Sequence, residues 1–282
     1  LKSLRSFFET IRVEHTLFAL PFAYATLFLV SGGWPRAHDF IWITVAMVSA
    51  RTVGMALNRI IDAKIDARNP RTATRAIPAG RLTHVKAWAF TAVAGALFVY
   101  AVFQLSPVCR WLWPIPLAAM TFYPCAKRFT PYAHLFLGLV YVMIPAGIWL
   151  AVTGKLSAIA VVLGIGAGLW VAGFDIIYAC QDVETDRREK LHSMPADFGI
   201  SRALVVARWF HVGFLAALLV VSQMFDAGPW YYAAVAVTAL SLVYEHRLVS
   251  PNDLSKVNAA FFTTNGVVSV ALFALIALDQ VM

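Results

Sequence analysis

"FIWITVAMVSARTVGMALNRIIDAKID", residues 40–66, changes character part-way along. Residues 40–57 are apolar apart from Arg51, and their length approaches the roughly 20 residues that cross a bilayer as a helix. Then come Asn58, Asp62 and Asp66 at four-residue spacing. Steps of four drift by only about 40° around a helix, so the three oxygen donors share one face. Arg68, Arg71, Arg75 and Arg81 follow closely. A membrane span that ends in a dense polar site is the reading to extend.

The remaining sequence repeats the apolar half of this pattern. Of 282 residues, 60% are hydrophobic and only 13% charged, against about a quarter charged in soluble domains. Mean hydropathy is +0.72. Spans are predicted at 15–31, 40–57, 86–105, 111–126, 134–152, 158–179, 203–224, 229–245 and 257–278. Pro114 and Pro116 interrupt the fourth. The runs are too long and continuous for the alternating strands of a membrane barrel. The expected fold is all-α, a polytopic membrane protein of about nine transmembrane helices around a central cavity with a cytoplasmic cap. It forms one domain over residues 1–282. At the N-terminus, Leu4, Phe7, Phe8 and Ile11 fit one face of an interfacial helix, and no cleavable signal peptide is expected.

The net charge of +8 resolves into a topology signal. With the N-terminus placed in the cytoplasm, 20 Lys and Arg fall on that side and 3 (Arg36, Arg110, Lys155) on the other. That split obeys the positive-inside rule, supports an odd number of crossings and removes nucleic acid as a partner. Integral insertion in the inner (cytoplasmic) membrane, with the polar site on the cytoplasmic side, is expected. Cys109, Cys125 and Cys180 lack C-x-x-C spacing and read as buried thiols, not as a disulfide framework or zinc site.

A second acid row lies in "FDIIYACQDVETDRREKLHS", residues 174–193. Asp182 and Asp186 are again four apart, and Asp175 sits two turns earlier on nearly the same face. Asn58 to Asp182 and Asp62 to Asp186 are both separations of 124 residues. This duplication reads as a pseudo-repeat with halves at about 15–130 and 134–278, a common device in membrane folds. Acids at a helix C-terminus oppose the helix dipole, and two facing clusters repel. A divalent cation relieves both costs. Oxygen donors on a short arc suit Mg²⁺, which takes one or two carboxylates plus phosphate oxygens. Arg71 and Arg75 are then placed to grip phosphate.

These residues resemble the UbiA superfamily of intramembrane aromatic prenyltransferases. The carriers are N-x-x-x-D-x-x-x-D at 58–66, D-x-x-x-D at 182–186 and "YPCAKR" at 123–128. "HTLFALPFA" at 15–23, "NPRTATRAIPAG" at 69–80 and "YEHRLVSPNDLSKVNAAFFTTNGVVS" at 244–269 are similar to its branch of 4-hydroxybenzoate polyprenyltransferase-like proteins and the prenyltransferase of the futalosine route to menaquinone. Lys190 stands where that family pattern leads one to expect Gly. The resemblance implies a polyprenyl diphosphate donor, Mg²⁺, an aromatic acceptor (4-hydroxybenzoate or 1,4-dihydroxy-6-naphthoate) and a role in ubiquinone or menaquinone biosynthesis.

On that implied chemistry, Asn58, Asp62, Asp66, Asp182 and Asp186 hold the metal, while Arg71, Arg75 and Lys127 share the charge of the leaving diphosphate. Tyr123, one turn from Lys127, either faces the allylic cation through its ring or is an ordinary interfacial aromatic. Arg51 is a costly charge inside a span; it pairs with the acceptor carboxylate or serves a salt bridge. Asp175 orients the acceptor hydroxyl, accepts a proton or pairs with a neighbouring helix. Asn258 and Asn265 are expected to hydrogen-bond between helices. Glu184 and Glu189 are expected to face water. His15, His192 and His246 lack metal-ligand spacing. The competing function is a cation-coupled transporter with the aspartates as ion ligands, but such ligands usually sit near the midplane on broken helices rather than at one face among arginines.

Overall fold

The computed structural model describes residues 6, 7, 10 and 16–282. Leu4, Phe8 and Ile11 of the expected interfacial helix, and His15, lie outside the described residues. Phe7 is buried, its ring centroid 4.8 Å from that of Phe90.

All nine expected segments are helical, and no strand forms among the described residues. They are α1 (Thr16–Ser31), α2 (Ala37–Ile61), α3 (His84–Phe103), α4 (Pro114–Ala126), α5 (Ala133–Thr153), α6 (Ala158–Ala179), α7 (Ile200–Ser222), α8 (Pro229–Leu248) and α9 (Asn265–Val281). Six helical units are long and apolar enough to cross a membrane by themselves: α2, α3, α5, α6 with its C-terminal extension, α7, and Val257–Val281. This is an integral multi-pass membrane protein. The expected break near Pro114 is real: a separate turn, Cys109–Leu112, precedes α4, which starts on Pro114, where the missing N–H costs nothing. Elsewhere the ends follow local chemistry. Thr83 and Ser157 cap α3 and α6 through their hydroxyls, and Gly154 ends α5 at φ +71°.

α6 is the central helix. Its span is 67% buried, against 28–33% for the other five. Small residues let it sit deep. A Cβ on Gly168 would come within 3.0 Å of the Gly138 carbonyl on α5, and one on Gly164 within 2.7 Å of the Val142 carbonyl. Close backbone approach of this kind replaces the hydrophobic drive that lipid cannot supply. On the other flank, Trp170 stacks on Phe214 of α7 at 5.4 Å. The outer helices keep apolar faces exposed, such as Val93, Leu97 and Tyr100 on α3, as a lipid-facing surface requires. Trp34 and Trp111 are highly exposed.

Asn265 does bond between helices. Its amide donates to Glu245 Oε1 at 2.9 Å, and its oxygen accepts from Trp170 Nε1 at 2.7 Å. Asn258 is exposed and lies just before a π-helical turn, Ala259–Thr264. Glu184 is exposed as expected. Glu189 is not: its side chain is 11% exposed and bonds Arg68 at 2.8 Å. The reason is that the loop after Arg68 folds back onto the second acid row.

Candidate active site

The ends of α2 and α6 line the same cavity, and both helices end the same way. At Asp62 the helix breaks with φ −92° and ψ 3°, then makes one more turn over Ala63–Asp66. At Asp182 it breaks with φ −104° and ψ 4° after a 3₁₀ turn, then continues over Val183–Arg188. Both aspartates sit in the sparsely allowed bridge region where active-site residues are often found.

Below these breaks lies a cavity of about 570 Å³. All eleven residues singled out from the sequence line it: Arg51, Asn58, Asp62, Asp66, Arg71, Arg75, Tyr123, Lys127, Asp175, Asp182 and Asp186. Its wall also includes Ile43, near the start of α2. From Ile43 to Asp62 is about 28 Å of helix rise, so an apolar trench runs most of a membrane's thickness beneath the polar end.

The carboxylates are neutralised in place. Asp62 bonds Lys127 Nζ and Arg128 Nη2, each at 2.9 Å. Arg75 Nη1 donates to both oxygens of Asp66 at 2.7 Å. Arg71, from the loop after the first row, reaches across to the second. Its Nε donates to Asp182 Oδ1 at 3.1 Å and its Nη1 to the Tyr178 hydroxyl at 2.9 Å. Burial works against the Arg71 charge, but Asp182 and Tyr178 together more than offset it and raise its pKa. Asn69 adds a bond to Asp182 at 3.0 Å, and Ser193 donates to Asp186 at 2.8 Å.

The donor set fits a divalent cation in a particular way. Among the described residues, no three acidic, His or Cys groups converge to hold a metal by themselves. The carboxylates instead stand in two rows that line one cavity. Mg²⁺ takes few protein ligands and completes its shell with water and phosphate oxygens, so a site split in this manner fits Mg²⁺ carried by a diphosphate.

Deeper in the cavity, Tyr141 hydrogen-bonds Arg51, whose Nε is buried without a partner. An orphaned buried donor on a guanidinium points to a ligand acceptor. The Tyr123 hydroxyl accepts from Asn58 Nδ2 at 3.0 Å, which ties it to the first acid row. Asp175 Oδ2 lies 2.7 Å from His134 Nδ1. The Met194 N–H points at His134 Nε2 at 3.4 Å, so Nδ1 carries the proton given to Asp175.

Sequence reasoning missed Asn69, Arg128, His134, Tyr141, Tyr178 and Ser193. Asn69, Arg128 and Ser193 stand inside or beside the motif stretches and could have been drawn from them. His134 and Tyr141 lie in an apolar span, where only the fold brings them to Asp175 and Arg51.

Lys190 explains itself in backbone terms. Leu191 N bonds Asp186 O at 2.8 Å and Lys190 N bonds Arg187 O at 3.3 Å. This is the paired-bond cap that puts its central residue in the left-handed region, where Gly is usual. Lys190 has φ +54°, the sole positive φ at a non-glycine among the described residues.

The sequence profile of the UbiA prenyltransferase family matches residues 19–267. The chain belongs to the UbiA prenyltransferase family. It is similar to a UbiA homologue from Aeropyrum pernix K1 solved in its apo form, with 33% identity over 95% of this chain and 98% of that one and a TM-score of 0.85. A UbiA homologue from Archaeoglobus fulgidus bound to GPP and Mg²⁺ shares the fold at a TM-score of 0.71 and 17% identity, covering 96% and 99% of the two chains. The 4-hydroxybenzoate octaprenyltransferase of Aromatoleum aromaticum is 28% identical over 256 residues, 90% of this chain and 86% of that protein.

Proposed function

We propose that this UbiA-family enzyme transfers a polyprenyl group from an isoprenyl diphosphate to an aromatic hydroxy-carboxylate in quinone biosynthesis, with Mg²⁺ as cofactor. One observation carries the reading: a single cavity joins a basic and acidic end suited to a metal diphosphate to a long apolar trench suited to the chain. The acceptor is of the 4-hydroxybenzoate type, the substrate named for the Aromatoleum relative; 1,4-dihydroxy-6-naphthoate is the other acceptor to be tried.

Asn58, Asp62, Asp66, Asp182 and Asp186 would hold the metal. When bound, Mg²⁺ supplies positive charge against the diphosphate leaving group. Arg71, Arg75 and Lys127 exchange their carboxylate partners for diphosphate oxygens and stabilise the charge that develops there. The C–O bond at the allylic carbon breaks and the diphosphate keeps the electron pair. The aromatic ring supplies the pair for the new C–C bond and then loses its proton. Arg51 holds the acceptor carboxylate by its unpaired Nε–H and its outer nitrogens. Asp175, oriented by His134, faces the acceptor hydroxyl and receives the proton. Tyr123, fixed by Asn58, presents its ring to the allylic cation. The apolar wall keeps water from that cation.

The proposal includes nine crossings of the inner membrane, a cytoplasmic acid-bearing end and a pseudo-repeat of the two halves. The test is an assay of the purified chain with Mg²⁺, prenyl diphosphates of several lengths and both acceptors, read by mass. Prenylated product that disappears with EDTA is expected. No product from either acceptor sinks the proposal.

A further inference from the structure

Among the described residues, the chain beyond Asp186 gives the large cavity one side chain, Phe261. It is carried by the π-helical turn Ala259–Thr264. Such turns are rare and often mark functional sites. Asn265 explains how this one is held. Its backbone N–H bonds Phe262 O, so the carbonyls four and five residues before it do not receive that donor. The Asn265 side-chain nitrogen serves them instead, 3.1 Å from Phe261 O and 3.3 Å from Ala260 O. The same amide is fixed by Glu245 and Trp170. All three residues are fully buried, and a bonded polar network in such surroundings resists change. The register of the turn, and with it the place of Phe261, is therefore set.

Phe261 meets α6 by its ring. Its centroid lies 4.2 Å from that of Tyr178 and 5.2 Å from that of Phe174. Tyr178 in turn carries Arg71, whose guanidinium carbon is 5.2 Å from the ring centroid. The guanidinium is divided between two partners. Nη1 donates to the Tyr178 hydroxyl, while Nε and Nη2 donate to Asp182. We propose that Tyr178 and Phe261 are positioning residues for Arg71. The π turn holds Phe261, and Phe261 braces the Tyr178 ring. The Tyr178 hydroxyl then keeps Nη1 in place while the opposite edge of the planar fork passes from Asp182 to the diphosphate. An arginine ordered beforehand gives up less rotamer freedom when it meets its anion. The step from Asp182 to a diphosphate rests on the function proposed above; the brace itself is present in the resting chain.

A double-mutant cycle on the full chain in detergent tests this. Calorimetry reads the affinity for an unreactive prenyl thiodiphosphate with Mg²⁺, and the acceptor KM is measured alongside. Tyr178→Phe keeps the ring and removes only the hydroxyl. It should weaken thiodiphosphate binding about tenfold, the scale of one charge-assisted hydrogen bond. Phe261→Leu should weaken it about threefold, the scale of one aromatic contact. In an Arg71→Gln chain neither change should cost anything further. The acceptor KM should stay the same in Tyr178→Phe and in Phe261→Leu. A role confined to packing would lower affinity alike in both backgrounds, so equal losses with and without Arg71 overturn the proposal. Full affinity in Tyr178→Phe overturns it as well, and so does a loss that falls equally on the acceptor KM. Prenyl transfer by the native chain together with an additive cycle keeps the proposed reaction and removes the positioning pair. A coupled cycle in a native chain that forms no prenylated product does the reverse.

Discussion

The two acid rows share a backbone and differ in how they are neutralised. Just past the end of α2, the Asp62 and Asp66 side chains are 3% and 8% exposed and bond three cations, Lys127, Arg128 and Arg75. Just past the end of α6, Asp182 is 20% exposed and bonds Arg71 and the Asn69 amide, while Asp186 takes the Ser193 hydroxyl. The first row is therefore tied into the fold by ion pairs on its own side. The second is held by a guanidinium reaching over from the first row's loop and by neutral donors. A metal diphosphate entering between them must exchange charged partners on one side and mostly neutral ones on the other. Four-residue spacing shows that two carboxylate rows exist; it does not show which row also holds the structure.

The sharpest break in that comparison comes from removing one acid from each row. Asp62→Ala and Asp182→Ala should each lower turnover by about a thousandfold or more, the scale of losing charge stabilisation at a leaving group. Their effects on stability should part. Asp62→Ala leaves Lys127 and Arg128 without their partner. Both are about one-third exposed (30% and 34%), so solvent screening reduces the loss to about 1–2 kcal/mol. Asp182→Ala should cost less. Thermal unfolding in detergent reads the difference, and equal losses would erase the distinction between the rows.

A smaller effect sharpens the contrast deeper in the cavity, where α2 presents a cation, Arg51, and α6 an anion, Asp175. Arg51→Ala should raise the acceptor KM by about tenfold or more, as expected for a charge-assisted bond, and leave binding of the prenyl diphosphate nearly unchanged. Arg51→Lys should recover part of the loss, since an ammonium lacks the planar fork. An acceptor lacking the carboxylate should respond little to either change. Equal response of both acceptors would make Arg51 a structural residue.

The smallest effect concerns the loops that follow the rows. The first turns at Gly80 with φ +71° and the second at Lys190 with φ +54°. Lys190→Gly should raise stability by about 0.5–1 kcal/mol, because only the second loop asks a side-chain-bearing residue to adopt the left-handed region. No gain on thermal unfolding would mean that Lys190 makes a compensating contact.

Much of this was legible beforehand, for physical reasons. Apolar length marks a span whatever it packs against, so all nine segments appear as helices close to their expected ends. The polar residues stood out against an apolar background and line one cavity. Partners were harder to read, because a side chain such as His134 or Tyr141 acquires meaning only when α5 packs on α6 and α2. The helix breaks do not fall at the positions that the equal spacings pair. Equal spacings of 124 residues matched Asp62 with Asp186, whereas the helix breaks match Asp62 with Asp182, 120 residues on. One helical turn separates the two matchings, and a pattern with a four-residue period cannot distinguish them. Glu189 was misread because its partner, Arg68, is 121 residues away.

The central claim is that the two rows act on one metal diphosphate. Titration calorimetry of Mg²⁺ with an unreactive prenyl thiodiphosphate tests it most directly, on the native chain, Asp62→Asn and Asp182→Asn. Weak Mg²⁺ binding alone, strong binding once the thiodiphosphate is present, and loss of that coupling in both variants are the predicted results. Equal Mg²⁺ affinity with and without the thiodiphosphate, or full coupling retained in either variant, would contradict the account.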